Sequence, residues 1–251
     1  GWENRKLDVH RSSYDGFISQ KQDPTPGMDV VLTIDHRIQK IVESALKKGV
    51  EKVKAIAGTS IVVNPHNGEI LALANYPTVD HNKSFHLSQV RNDAVEKSFE
   101  PGSTMKVITT AIALEEGKVD LEEQIDVENG EYHVCGKKEK SITDHDAYDY
   151  LNLEEVLAHS SNIGYAKIAQ RVEKETFFRY FRAFGFGTET GVELPGESPG
   201  TLKPLRDWNC RTQATMSYGH AIAVNPLQMT MALSSIANGG KLFRPKLVKA
   251  Y

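Results

Sequence analysis

The chain has 251 residues, with 30 Lys+Arg, 33 Asp+Glu and a formal net charge of −3. A hydrophobic share of 39% with 25% charged residues excludes wholesale disorder, and the near-neutral balance argues against a nucleic-acid binder, which needs a basic surplus to neutralise phosphates. The longest strictly apolar run, Ile70 to Ala74, is far short of the ~20 residues that a bilayer helix needs.

The chain opens Gly-Trp-Glu-Asn, as an excised domain would, so an upstream anchor or leader stays open. Residues 1–27 are polar, lack periodicity and end in the turn-rich Asp23-Pro24-Thr25-Pro26-Gly27. They are expected to be a linker or the tail of a preceding module, with the main domain covering 28–251. The alternation of Val30, Leu32 and Ile34 predicts a short strand over Asp29–Ile34. Asp35 suits an N-cap, Ile38, Ile41, Val42, Ala45 and Leu46 follow at helical spacing, and Gly49 is expected to close that helix. Thr59–Val63 and Glu69–Ala74 flank Asn64-Pro65-His66-Asn67-Gly68, a hairpin signal, and are expected in a central sheet.

Ser103–Leu114, entered through Pro101-Gly102 and ended by Gly117, is apolar nearly all round and reads as a buried helix. Residues 118–150 are acidic, tyrosine-rich and irregular, a long surface excursion. Asn152 caps a helix that Ser160-Ser161-Asn162-Ile163-Gly164 interrupts and that resumes at Tyr165. Thr176–Phe184 is an aromatic helix stopped by Gly185, and Gly185–Gly200 is loop. Asn225-Pro226 opens a helix to Ala237 with an N-cap and a proline at the first helical position. Phe243–Tyr251 reads as extended.

Chemistry concentrates in three places. Ser103 opens the buried helix, and Lys106 follows three residues later on the same face, so the amine is expected to reach the hydroxyl. Serine needs an adjacent base to attack. A lysine serves if burial and the positive helix end keep it neutral, and the same helix end offers N–H groups to an oxyanion. Ser-x-x-Lys recurs as Ser44-Ala45-Leu46-Lys47, which reads as an ordinary solvated helix face. Ser160-Ser161-Asn162 is the only Ser-x-Asn in the chain. It reads either as a polar kink between helices, or as a pair in which Ser160 relays a proton and Asn162 holds the lysine and a substrate amide. Ser217-Tyr218-Gly219-His220 is a turn before a helix or part of the same cleft, with a catalytic role for His220 the lesser reading. Of the other histidines, His66 and His81 fall in turns, and His133, Cys135 and His145 match no strong metal pattern. No metal or cofactor is expected. Cys135 and Cys210, the two cysteines, could form one bridge, but two isolated thiols are the expectation, which leaves the compartment open.

Together these segments resemble the transpeptidase domain of class B penicillin-binding proteins, over nearly the whole chain from Pro26 onward. Pro26–Asp35 is similar to the segment that opens that domain, and Asn64–Ala74 to its first hairpin. Phe99-Glu100-Pro101-Gly102-Ser103-Thr104-Met105-Lys106 is similar to its nucleophile motif and His159–Gly164 to its second motif. Tyr218-Gly219, Asn225–Gln228 and Ala237–Gly240 are similar to the approach to its third. Several long matches in the correct order are far more specific than either short motif.

The resemblance implies an α+β fold of the penicillin-binding and serine β-lactamase type, with a helical subdomain beside a mostly antiparallel sheet. It also implies a peptidoglycan D,D-transpeptidase. Ser103 would attack the D-Ala-D-Ala carbonyl of a stem peptide, Lys106 would take its proton, Ser160 would relay one to the leaving D-alanine, and Asn162, Ser161, Tyr218 and Gly219 would line the substrate. β-Lactams would be trapped on Ser103. By analogy the partners are a glycan polymerase and division proteins, at the outer face of a bacterial membrane, anchored by a segment outside this chain. The Ser-Ser-Asn-Ile-Gly motif is closer to the division branch than to the elongation branch. The family's third motif, Lys-Thr-Gly or Lys-Ser-Gly, occurs nowhere in the sequence. The resemblance therefore implies a domain that stops before its C-terminal strands, with weak activity or none. The competing readings are a serine β-lactamase or β-lactam sensor domain, and a non-catalytic peptidoglycan-binding scaffold.

Overall fold

A computed structural model describes residues 2–7, 13–79, 82–83, 91–136 and 140–250. The chain forms two units, 1–32 with 248–251, and Thr33–Leu247. In the first, β1 (Trp2–Leu7) and β2 (Ser13–Gln22) pair antiparallel, and β3 (Val31–Leu32) pairs with Val248–Ala250. The stretch expected as a linker or tail thus contains a hairpin. Its register shifts after Asn4 and again after Arg5. Each shift breaks the two-residue alternation, which is why no strand period was legible there. The strand expected over Asp29–Ile34 shrinks to β3.

The second unit starts at Thr33, a buried threonine whose hydroxyl donates to the carbonyl of Ile70 at 2.7 Å and to that of Lys246 at 2.9 Å. Asp35 caps α1 (His36–Val53) by accepting from the N–H groups of Arg37 and Ile38. Gly49 does not end this helix, which runs on to a left-handed cap at Lys54. A glycine costs roughly 1 kcal/mol against alanine inside a helix. The next residue, Val50, is buried, and burying a valine outweighs that cost.

The hairpin of β4 (Gly58–Val63) and β5 (Ile70–Tyr76) forms as expected, with α1 packed on both strands. No larger central sheet surrounds it: the described strands pair only two by two. After the short α2 (Asp93–Glu96), a 3-10 turn over Gly102–Thr104 leads into α3 (Met105–Glu115). The buried helix thus starts later than expected, and Ser103 sits in its 3-10 entry.

Residues 118–150 are more than a surface excursion. Two nested ladders organise them: β6 (Ile125–Asp126) with β9 (Tyr150–Leu151), and inside it β7 (Glu131–Tyr132) with β8 (Ile142–Thr143). Val119, Ile125, Val127 and Ile142 anchor the segment in the core formed with α4 (Leu153–Ala158) and α5 (Asn162–Gln170). Asn152 starts α4 with a reciprocal capping box to Glu155. Helix resumes at Asn162 rather than Tyr165, because Ser161 acts as a second N-cap.

The aromatic helix α6 (Lys174–Ala183), the strand β10 (Thr201–Leu202), α7 (Thr212–Ser217) and β11 (Ile222–Ala223) follow. Then come α8 (Pro226–Ala237), with a capping box from Asn225 to Gln228, and β12 (Val248–Ala250), the partner of β3. Helix α3 packs against α5, α7 and α8. The fold is α+β, helices with antiparallel ladders.

The two cysteines are bonded. Cys135 and Cys210 form a disulfide with Cα atoms 5.8 Å apart, which corrects the expectation of free thiols. A separation of 75 residues hid the pairing, since sequence spacing says nothing about approach in space. Closing so long a loop restricts the unfolded chain strongly. The Cys135→Ser/Cys210→Ser double variant should therefore be less stable by about 2–4 kcal/mol, read as a lower urea midpoint than that of the oxidised protein.

Candidate active site

Ser103 and Ser160 meet at 2.9 Å between their hydroxyl oxygens, across the gap between α3 and the α4–α5 turn. Lys106, the second residue of α3, is 1% exposed. Its Nζ donates to the Ser160 carbonyl at 2.5 Å, the Ser160 Oγ at 2.9 Å and the Asn162 Oδ1 at 2.9 Å. The ring of Tyr165 lies 5.6 Å from the same nitrogen. Among the described residues no hydrogen bond joins Lys106 directly to Ser103. The direct contact expected from their spacing is replaced by a bridge through Ser160, because the amine turns toward three acceptors at the turn after α4.

That partner set constrains the proton. A charged lysine uses all three of its N–H groups there. A neutral lysine keeps two N–H groups and gains a lone pair. The Ser160 carbonyl and the Asn162 Oδ1 can only accept, so the lone pair must face Ser160 Oγ, the one partner that carries a hydrogen. The Ser160 hydroxyl then donates to Lys106 and is free to accept from Ser103. Burial lowers the Lys106 pKa to about 8, against a smaller opposing pull from the Asp144 carboxylate. Neutral lysine is therefore abundant just above neutrality.

Ser160 reaches this position through an unusual backbone, with φ at 54°. It is the residue just past the helix cap in a Schellman-type ending of α4: its N–H donates to the Leu157 carbonyl at 3.1 Å, and that of Ser161 to the Val156 carbonyl at 3.0 Å. Glycine is usual there, since a side chain in the left-handed region is disfavoured. The kink is present, and it turns Ser160 toward Ser103.

Ser161, expected against substrate, is buried and otherwise engaged. Its Oγ accepts from the Gly164 N–H at 2.9 Å and donates to Asp144 Oδ2 at 2.5 Å. Tyr218 is buried too, its phenol pushed up by burial. Gly219 instead meets the nucleophile loop through its backbone: its carbonyl accepts from the Gly102 N–H at 3.1 Å. Its φ is +83°, and a Cβ there would lie 2.1 Å from the Gly102 oxygen. Phe99 and Val224 exchange two backbone hydrogen bonds at 2.9 Å each. His220 pairs with Glu100 at 2.8 Å, on the loop before Ser103. Glu100 also accepts from the Ala221 N–H at 3.0 Å.

The sequence reading passed over Asp144 and Glu100. Glu100 lies within the segment that carries Ser103, which is a signal; Asp144 is one carboxylate in an acidic segment and carried none. Of the three residues weighed as metal ligands, Cys135 has its sulfur in the disulfide, while His145 is almost fully exposed beside Asp146. His81 lies outside the described residues.

Residues 58–251 match the family model for the penicillin-binding protein transpeptidase domain. Stage V sporulation protein D of Bacillus subtilis is 36% identical over 233 residues, covering 91% of this chain and 36% of that protein. A probable peptidoglycan D,D-transpeptidase, PbpC of Pseudomonas aeruginosa, is 36% identical over 241 residues, covering 95% of this chain and 42% of that protein. The chain thus spans well under half the length of these relatives. The apo structure of the TP domain of Burkholderia pseudomallei penicillin-binding protein 3 superposes with a TM-score of 0.79 at 35% identity, covering 90% of this chain and 64% of that one.

Two outcomes are expected. Labelling of Ser103 by a fluorescent penicillin should rise with pH through about 8 and level off above it, as Lys106 loses its proton; a flat rate across that range would exclude the lysine as base. Gly219→Ala should slow labelling about 100-fold by displacing the nucleophile loop. Gly239→Ala, also at positive φ but with nothing within 4 Å, should leave labelling unchanged.

Proposed function

The chain belongs to the penicillin-binding protein transpeptidase family, and we propose that the protein carrying it is a peptidoglycan D,D-transpeptidase working through an acyl-enzyme on Ser103. The observation that carries this reading is the Ser103–Ser160–Lys106 hydrogen-bond chain ending on a buried amine. Ser103 Oγ attacks the carbonyl between the two terminal D-alanines of a stem peptide. Its proton moves to Ser160 Oγ as the Ser160 proton moves to Lys106 Nζ. The tetrahedral oxyanion forms beside the start of α3, where the first N–H groups have no partner within the helix and the helix dipole favours negative charge.

Collapse of that intermediate expels D-alanine, and the proton on Lys106 returns through Ser160 to the leaving amine. An amine of a neighbouring stem then attacks the ester; the same relay accepts a proton from that amine and returns one to Ser103 Oγ as the ester C–O bond breaks, freeing Ser103 and leaving a crosslink. The Asn162 side chain holds Lys106 through Oδ1 and borders the substrate amide. A β-lactam follows the first half of this route and stops at the ester, because its leaving group stays tethered.

Placement at the outer face of a bacterial membrane belongs to the same proposal, as does work beside a glycan polymerase and division proteins. The Cys135–Cys210 disulfide supports an oxidising compartment. No described helix is long and apolar enough to cross a membrane.

The test is intact-mass and peptide-map analysis of the whole natural protein after exposure to a penicillin. A single stable adduct on Ser103, lost in Ser103→Ala, is expected. Rapid release of the adduct as hydrolysed penicillin would favour a β-lactamase. No adduct at all would favour a non-catalytic scaffold.

A further inference from the structure

We infer that Asp144 is the positioning residue of the Ser160–Asn162 turn: its carboxylate, delivered by the disulfide-tied hairpin of β7 and β8, sets the amide of Asn162 and the hydroxyl of Ser160 in register with Lys106. This rests on the acyl-enzyme reading above.

Asp144 is the hub of three hydrogen bonds to consecutive residues. Oδ2 accepts from Ser161 Oγ at 2.5 Å, while Oδ1 accepts from the N–H of Asn162 at 2.5 Å and that of Ile163 at 3.1 Å. These N–H groups open α5 and have no partner within the helix, so a carboxylate there gains from both the hydrogen bonds and the dipole. The neighbouring Thr143 carbonyl accepts from Asn162 Nδ2 at 3.1 Å. A carbonyl can only accept, so it fixes the amide with Nδ2 outward and Oδ1 on Lys106. The reverse orientation would aim an N–H group at an ammonium.

The hairpin is itself held. The Asp144 N–H donates to the Gly130 carbonyl at 3.2 Å. The Arg211 guanidinium donates to the carbonyls of Lys140 and Ser141. The adjacent Cys210 is bonded to Cys135. Both anchors stand just before α7, whose last residue accepts from the Thr109 hydroxyl of α3 at 2.8 Å. Gln213, in α7, donates to the carbonyls of Ala169 and Val172 at the end of α5. The hairpin, α3 and α5 are thus referenced to one short helix.

Charge gives the inference a readout beyond stability. Asp144 is the carboxylate whose field opposes the lowering of the Lys106 pKa by burial. The other groups around the amine do not replace it. Tyr165 from α5 and Tyr218 after α7 are both held neutral by burial, and Arg211, which faces Tyr218, is a cation. His220 is paired with Glu100.

The experiment follows the rate of Ser103 acylation by a fluorescent penicillin against pH, in the whole natural protein, for wild type, Asp144→Asn and Asp144→Ala. Asparagine keeps an acceptor for the two N–H groups but no charge. It is expected to hold the plateau rate within a few-fold and to move the rising limb to lower pH. Alanine removes both, so the limb should move likewise while the plateau falls about 10-fold to 100-fold. A limb unmoved in both variants would overturn the inference, even with a lowered melting temperature, because Asp144 would then be a helix cap alone. A plateau unchanged in Asp144→Ala would overturn it as well. Wild type that fails to label Ser103 would instead bring down the acyl-enzyme reading on which it rests.

Discussion

A lysine nitrogen taken out of water is the constraint around which this structure is arranged. Shifting its pKa from 10.5 to about 8 corresponds to roughly 3 kcal/mol of disfavoured charge. The helix that bears it can sustain that cost, since Met105, Ile108 and Ile112 are all buried on α3, at about 1.5–3 kcal/mol each. The amine also finds three acceptors, and among the described residues no buried side-chain nitrogen or oxygen lacks a partner. The site is therefore neither a defect in the core nor a surface feature. It is a polar pocket whose satisfaction requires the turn after α4 to stay where it is.

That requirement explains the backbone of Ser160. A helix ending in a left-handed residue normally takes glycine, which would serve α4 better and would leave the amine without its hydroxyl partner. Serine in that conformation places both a carbonyl and a hydroxyl on Lys106, two of the three acceptors from one residue. Local disfavour is exchanged for a hydrogen-bond chain from Lys106 to Ser103, the kind of exchange that concentrates at functional sites. Ser161 and Asn162 then restart helix immediately, so the distortion is confined to a single residue.

What could be read from the sequence was what depends on neighbours in the chain. Asp35, Asn152 and Asn225-Pro226 announced helix starts because capping is settled within three residues. Asn67-Gly68 between two apolar runs announced the β4–β5 hairpin. Ser103 and Lys106 stood out by a Pro-Gly entry and an apolar helix. The failures share the opposite character. The Cys135–Cys210 pairing, the delivery of Asp144 and the close approach of Gly219 to Gly102 all join segments far apart in sequence. The helix through Gly49 depended on the burial of Val50. Even the Lys106–Ser103 geometry was misjudged, because i,i+3 spacing fixes a shared face but not where a flexible side chain finds its best acceptors.

The loop that carries Ser103 shows why such distant contacts decide the geometry of the site. Ser103 sits in a 3-10 turn, and its own helix fixes it only from Met105 onward. Upstream, residues 99–102 are laced to 219–224 by backbone hydrogen bonds at Phe99, Gly102 and Val224 and by the Glu100 carboxylate on Ala221 and His220. The strand partner of β11 is β10, and α8 begins directly beyond Val224, so the lacing joins the loop to elements buried behind it. Ser160 approaches from the other side, set by Asp144 and the hairpin. The 2.9 Å between the two hydroxyls is thus a distance between two segments braced from different sides. Neither α3 nor the α4–α5 turn could hold it alone, and α7, touching both α3 and α5, is the element common to the two braces.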